Sequence, residues 1–258
     1  MINEPGKLSS SFPKPENSAF LRLVAFKMAA AHYPASDFPL FSCGYTELCR
    51  ENLSGKSVVE LACGRGDLAV ALAEQFPDAK ILAVDRYPDA GSAIRAAHSA
   101  GKAKNLEYLC SDAVNLPVIP DSSVDLVFGQ AALHHLANDV SAVRNESHRI
   151  LKPGGRLVFL FEPLGHNWFV SCVRAIQVSR QEMGDESNLF FSTFEEIGRT
   201  FTKIEVQSIN LTGYFLKAFK GKSGLSLARF CNKLDRAISR FWTNAPKFGA
   251  NANIIFWK

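Results

Sequence analysis

The stretch VVELACGRGDLAVALAEQF, residues 58–76, constrains this chain more than any other. An apolar run enters a glycine turn, and apolar residues recur at helical spacing from Asp67 to Gln75. A strand, a glycine bend and a helix in that order build one unit of an open α/β sheet. The bend gathers backbone N–H groups at the positive end of the helix dipole, so it suits a polar ligand. The candidates are a dinucleotide, a phosphate or another nucleoside.

The same alternation continues downstream. AKILAVD reads as a second strand, residues 89–100 as a helix, LEYLCSD as a third strand and VDLVFGQ as a fourth. Asp139 is placed to cap a helix carrying Val140, Val143, Ile150 and Leu151, which Pro153-Gly154-Gly155 should stop. RLVFLFEP follows as a fifth strand. Apolar strands separated by helices predict a mostly parallel sheet covered on both faces.

The tail has a different pattern. Thr193 to Glu196 reads as a capping box opening a helix. Strands are expected over Lys203–Leu211 and Ala252–Trp257. The helix between them carries Leu227, Phe230, Leu234, Ile238 and Phe241 on one face, read as the packed face. Upstream, Phe20, Leu23, Val24 and Met28 recur at helical spacing from Asn17 to Tyr33. Residues 34–56 read as irregular, with a short helix from Tyr45 to Glu51. The reading is one compact domain: a leader and helical lid over 1–56, a binding core over 57–162, and a sheet edge with a helical insertion over 163–258.

Composition narrows the class. Of the 258 residues 47% are hydrophobic, enough for a packed core, and a net charge of +4 does not by itself imply nucleic acid. Six cysteines without a C-x-x-C pair indicate neither a zinc site nor a disulfide framework, and a reducing cytoplasm fits them. No metal site is expected. The first residues lack a basic region followed by an apolar core, so no signal peptide is expected. No run approaches the ~18 apolar residues of a membrane span.

Gly64-Arg-Gly66-Asp-Leu-Ala69 followed by Asp85 matches the dinucleotide fingerprint in outline. Glu60 argues against that ligand. A carboxylate at the end of the first strand repels a pyrophosphate and suits an ammonium or hydroxyl groups. Asp112, ending the third strand, is placed to accept from an exocyclic amine. Three successive strand ends thus offer Glu60, Asp85 and Asp112, a set that fits a cationic amino-acid nucleoside.

Residues of about 57–162 resemble the class I S-adenosylmethionine-dependent methyltransferases, in the branch acting on quinones and other small molecules. The carriers are VVELACGRG, ILAVDRYPDA, LCSDAVNLPVIPDSSVDLVFGQAALHHL and RILKPGGRLVFLFEP. The resemblance implies a Rossmann-like, doubly wound, seven-stranded sheet with an antiparallel last strand, and S-adenosylmethionine as cofactor. It places Gly64, Gly66 and the backbone of Ala62 and Cys63 at the methionine portion. Asp85 would take the ribose hydroxyls, with Arg86 beside the adenine. Asp112 and Ala113 would read adenine, and Gln130 would lie near the methionine end. Ala62 stands where the family usually has glycine. Cys63 reads as packing rather than as a nucleophile.

Methyl transfer from a sulfonium is an in-line displacement, so the protein chiefly aligns the acceptor and excludes water. A base is needed when the acceptor is a hydroxyl or a protonated amine. His134, His135, Glu162 and His166 follow strand ends, and His166 and His135 are ranked first as bases. The His134-His135 pair also reads as local hydrogen bonding at a helix start, and Glu162-Pro163 as a loop former. The expected acceptor is a small molecule or a glycan, lipid or polyketide-type metabolite. Nucleic acid is not expected, because GQAALHH stands where an N-P-P-Y or Pro-Cys motif would follow the fourth strand. Between Gly213 and Lys258 nine Lys or Arg face one acid, Asp235. That tail reads as a solvated face, or as an attraction to an anionic acceptor or to lipid headgroups at a membrane surface. Two other functions share the fold: cyclisation or rearrangement around a bound sulfonium, and a non-catalytic subunit that docks a partner.

Overall fold

The computed structural model describes Leu48 and residues 52–167, 171–172, 189–209, 230–231, 233–235, 237–238, 241 and 248–258. The expected leader helix, with Tyr33, Phe38, Phe41 and Tyr45 beyond it, lies outside the described residues, as do Leu227 and Arg229.

The elements are β1 (Ser57–Leu61), α1 (Asp67–Gln75), β2 (Lys80–Asp85), α2 (Ser92–Ser99), β3 (Leu106–Cys110), β4 (Val124–Gln130), α3 (Val140–Ile150), β5 (Leu151–Pro163), α4 (Phe191–Gly198), β6 (Lys203–Ile209) and β7 (Asn251–Trp257). They form one seven-stranded sheet in the order β3-β2-β1-β4-β5-β7-β6. Strands β1 to β5 pair in parallel, and β7 runs antiparallel to both β5 and β6. The order reverses between β1 and β4. At that switch point the loops leaving two neighbouring strands diverge to opposite faces and open a crevice.

Period-two alternation divides the core. Val58 faces one layer with Leu68, Leu72 and Ile94, while its neighbour Val59 faces the other with Val143, Phe159 and Phe194. Both layers are lined by buried apolar side chains, so the central strands β1 and β4 are largely apolar on both sides, as a covered parallel sheet requires.

Five local expectations are corrected. Pro153-Gly154-Gly155 lies inside β5, which begins at Leu151; the register slips between the Val124↔Leu151 and Leu126↔Arg156 pairs, and Gly154 takes a φ of 77°. A bulge absorbs the glycines, and α3 stops at Ile150 because the strand starts there. Asp139 precedes α3 but its side chain makes no capping hydrogen bond. Residues 89–91 lie outside α2, where Gly91 at φ 70° turns the chain before the helix begins.

The Thr193 capping box does not form. Helix α4 starts two residues earlier, and Thr193 uses its backbone N–H on the Phe190 carbonyl at 3.0 Å. The first-turn N–H of Phe191 instead donates to His166 Nε2 at 3.1 Å. A ring from the loop after β5 therefore satisfies the donor that a serine or threonine would have taken.

The tail helix is also turned the other way. Phe230, Leu234 and Phe241, expected on the packed face, are exposed, and Cys231 and Asp235 are the buried positions. Among the described residues no helix is long and apolar enough to cross a membrane.

Candidate active site

The turn after β1 is built from left-handed backbone. Ala62, Gly64 and Gly66 have φ of 49°, 53° and 80°. A Cβ on Gly66 would lie 2.5 Å from Ile94 Cδ1, so glycine there lets α1 and α2 approach. Among the described residues a Cβ on Gly64 would meet no atom within 4 Å. Gly64 keeps open space on the side away from the protein, as the close approach of a ligand demands. Ala62 holds the same backbone region with a methyl group, at a cost of about 1 kcal/mol relative to glycine.

The turn is stitched to its neighbours. The Cys63 N–H donates to the Val84 carbonyl at 3.0 Å, and the Gly91 N–H to the Gly64 carbonyl at 2.7 Å. Asp85, 8% exposed at the end of β2, accepts the Gly64 N–H on Oδ2 at 2.8 Å and the Tyr87 N–H on Oδ1 at 3.1 Å. One carboxylate fixes the glycine turn and the loop after β2 together. Each of its oxygens keeps a further lone pair, which suits a vicinal diol.

Glu60 is buried at the tip of β1, and its Oε2 has no hydrogen-bond partner among the described residues. Burial pushes its carboxyl up to about 8, the Ala69 N–H pulls it down, and Asp67 and Asp85 push it up further. An orphaned buried carboxyl oxygen in a field of two more carboxylates calls for a cation. Burial, then Glu60 and Asp85, push the Cys63 thiol well above its ordinary range, which removes it as a nucleophile at neutral pH.

On β3's side, Asp112 is exposed two residues beyond the strand and accepts the Val114 N–H on Oδ1 at 3.2 Å, closing a small turn over buried Ala113. Arg86 is exposed and lies 5.5 Å from the centre of the Tyr87 ring. Gln130 ends β4 opposite Leu160.

That register places Glu162 beside residue 132, two steps on. Glu162 is 0% exposed and accepts four donors: the N–H of Ala132 at 2.7 Å, of Leu133 at 2.8 Å and of His134 at 3.3 Å, and His134 Nδ1 at 2.9 Å. The Nδ1–H tautomer follows from the acceptor it faces, and leaves Nε2 with its lone pair. His134 is itself buried and lies 4.1 Å, ring to ring, from the exposed His135. His166 sits apart from this pair, with Nε2 engaged by α4 and its ring edge-on to Phe190 and Phe191. The Glu162–His134 pairing was missed in the sequence, where the two residues are 28 positions apart and only the β4–β5 register joins them. Among the described residues no group of His, Cys, Asp and Glu is arranged to hold a metal ion.

Residues 59–159 match the family described as a methyltransferase domain. Over these residues the chain is similar to the class I S-adenosylmethionine-dependent methyltransferases that its motifs resemble. The methyltransferase domain is 36% identical over 110 residues to the demethylmenaquinone methyltransferase of Thermus thermophilus, covering 42% of this chain and 48% of that one. It is 31% identical over 116 residues to the arsenite methyltransferase of Halobacterium salinarum, covering 45% and 29%. It is 33% identical over 107 residues to the ribosomal RNA large subunit methyltransferase G of Streptomyces coelicolor, covering 40% and 28%. The chain thus spans half or less of the length of these relatives. In structure it is similar to phosphoethanolamine N-methyltransferase 2 of Haemonchus contortus in complex with S-adenosylmethionine, with a TM-score of 0.58 and 17% identity, covering 94% of this chain and 60% of that one. The seven-stranded architecture with an antiparallel final strand is the one expected from sequence.

The residues present fit the cofactor. Glu60 offers its unpartnered oxygen to an ammonium, Asp85 two free lone pairs to a diol, and Gly64 open space over the turn. Two substitutions separate fold from binding. Gly66→Ala should cost about 1–3 kcal/mol in thermal or urea unfolding, from its left-handed backbone and the Ile94 contact. Gly64→Ala should lose about 1 kcal/mol of stability for its backbone alone, yet weaken S-adenosylmethionine by more than tenfold in calorimetry. Asp85→Ala should both loosen the turn and weaken cofactor binding by about 1.5–3 kcal/mol, the scale of hydrogen bonds to a charged group. Unchanged affinity in that variant removes Asp85 from the ribose.

Proposed function

We propose that the chain transfers a methyl group from S-adenosylmethionine to a small-molecule acceptor, and that His134, held by Glu162, takes the acceptor's proton. The single observation that carries the second part is the buried Glu162 carboxylate on His134 Nδ1 at 2.9 Å.

Bound S-adenosylmethionine supplies an electrophilic methyl carbon on a positively charged sulfur. Glu60 would hold the methionine ammonium, Asp85 the ribose, Asp112 and Ala113 the adenine, and Gln130 the methionine end. Such contacts would hold the cofactor at the crevice between β1 and β4, and holding it still against the acceptor is what yields rate. An acceptor O–H or N–H bond would break as the new bond to carbon forms and the carbon–sulfur bond gives its electron pair to sulfur, leaving a neutral thioether, and the acceptor's proton would move to His134 Nε2. Glu162 then faces an imidazolium and offsets its charge, as the buried carboxylate of a histidine dyad does. His135 and His166 rank below His134, because His135 is exposed and His166 already accepts the Phe191 N–H.

Relatives include enzymes named for demethylmenaquinone, arsenite and ribosomal RNA, so kinship alone does not choose the acceptor class. The sequence GQAALHH after β4 supports a small molecule. The basic tail favours an anionic or lipid-linked one. Calorimetry with S-adenosylmethionine and NAD, followed by an acceptor screen read by mass, tests the proposal. Binding of the sulfonium compound and a product heavier by one methylene are expected. Binding of NAD in its place overturns the reading.

A further inference from the structure

Residues 230, 231, 233–235, 237, 238 and 241 are helical. Burial sorts their side chains by face. Cys231 and Asp235 are 9% and 8% exposed, whereas Phe230, Leu234 and Phe241 are 61%, 39% and 92% exposed. At about 100° per residue the three apolar side chains share an arc of roughly 40°, and the buried pair lies about 100–140° round from Phe230. Two phenylalanines and a leucine therefore form one outward stripe.

Charge is ordered along the same segment. Lys233 is exposed, and the sequence sets Arg229, Lys233, Arg236 and Arg240 at intervals of four, three and four residues. Asp235, the one acid between Gly213 and Lys258, is on the inward side. A solvated helix would carry polar side chains where the phenylalanines stand. Cations interleaved with aromatics can also bind single-stranded nucleic acid by stacking, and the polyuridylate competition below separates that ligand from a bilayer.

We propose that this helix face docks the protein on an anionic lipid bilayer. The rings and Leu234 would enter the boundary between headgroups and acyl chains, and Lys233 would reach a headgroup phosphate. The inward edge at Cys231 and Asp235 keeps the helix on the protein, so the contact is peripheral.

The test uses the full chain and sedimentation with vesicles of phosphatidylcholine alone or mixed with phosphatidylglycerol. Binding to the mixed vesicles and not to the neutral ones is expected, falling as salt is raised. The Phe230→Glu/Phe241→Glu double variant should bind at least about tenfold more weakly, and Lys233→Glu should flatten the salt dependence. Melting temperature and affinity for S-adenosylmethionine should not change in either variant, so this test fails or succeeds apart from the methyltransferase proposal. The proposal is overturned if the wild type ignores phosphatidylglycerol, if the double variant binds as tightly as the wild type, or if polyuridylate competes the protein off the vesicles without being displaced by them. It is also overturned if Phe230→Cys resists maleimide in the absence of vesicles, since the chain itself then covers the stripe.

Discussion

Glu162→Ala is expected to lose about 3–5 kcal/mol of stability, the scale for removing a buried group on which several donors converge. The carboxylate is 0% exposed, and the three backbone N–H groups of residues 132–134 and His134 Nδ1 have it as their acceptor. Removing it strands four donors at the tip of β4, beside the crevice. Urea unfolding measures the loss; a change below about 1 kcal/mol would mean that water replaces the carboxylate, which its burial argues against. Glu162→Gln separates the structural part from the chemical one. The amide keeps one acceptor oxygen but turns an N–H₂ group toward donors. It should fold, with a stability loss smaller than that of alanine, and turn over about 10²-fold or more slowly once an acceptor is in hand. The rate profile should change shape as well as height, because a neutral amide cannot offset the imidazolium. His134→Gln should show the same loss in kcat at unchanged cofactor affinity. Wild-type kcat in both variants would leave the pair a purely structural role.

Apparent affinity for S-adenosylmethionine should rise with pH toward a maximum near pH 8, and binding at pH 7 should release a proton. The cause is Glu60, whose carboxyl is raised to about 8 chiefly by burial. An ammonium beside it favours the ionised form, so the proton must leave when the cofactor enters. The rise ends where the cofactor's own α-amino group deprotonates, about 7.7–8.0 in model compounds. Stability without cofactor runs the other way. A carboxyl raised above its unfolded value of 4.5 stabilises the fold fully below that value, and the contribution is lost as pH rises toward about 8. The amount is on the order of a few kcal/mol. Glu60→Gln should flatten both profiles, raise the melting temperature at pH 8 and weaken cofactor binding. Calorimetry in two buffers of different ionisation enthalpy counts the proton. Equal heats in both buffers would confine Glu60 to its bond with Ala69.

Much of this was legible in the residues themselves. The strand–glycine–helix unit at 58–76 follows from short-range rules: apolar periodicity, and glycine where the backbone must turn left-handed. Residues Asp67–Gln75 and Val124–Gln130 match the elements read from sequence end to end. Boundaries set by competition between neighbours were not legible. Leu151 leaves α3 for β5 because the sheet offers it a partner in Val124. The first turn of α4 is satisfied by His166 across 25 positions, so the Thr193 box, plausible locally, had nothing left to cap.

The amino-acid sequence alone determined the alternation of strands and helices and the carboxylates near the strand ends, because those depend on local periodicity and residue type; the seven-stranded architecture was expected only through the family resemblance. Tertiary structure alone decided which histidine meets Glu162 and which side of the tail helix meets solvent. Both are questions of which distant residues share a neighbourhood, and no spacing along the chain encodes the answer.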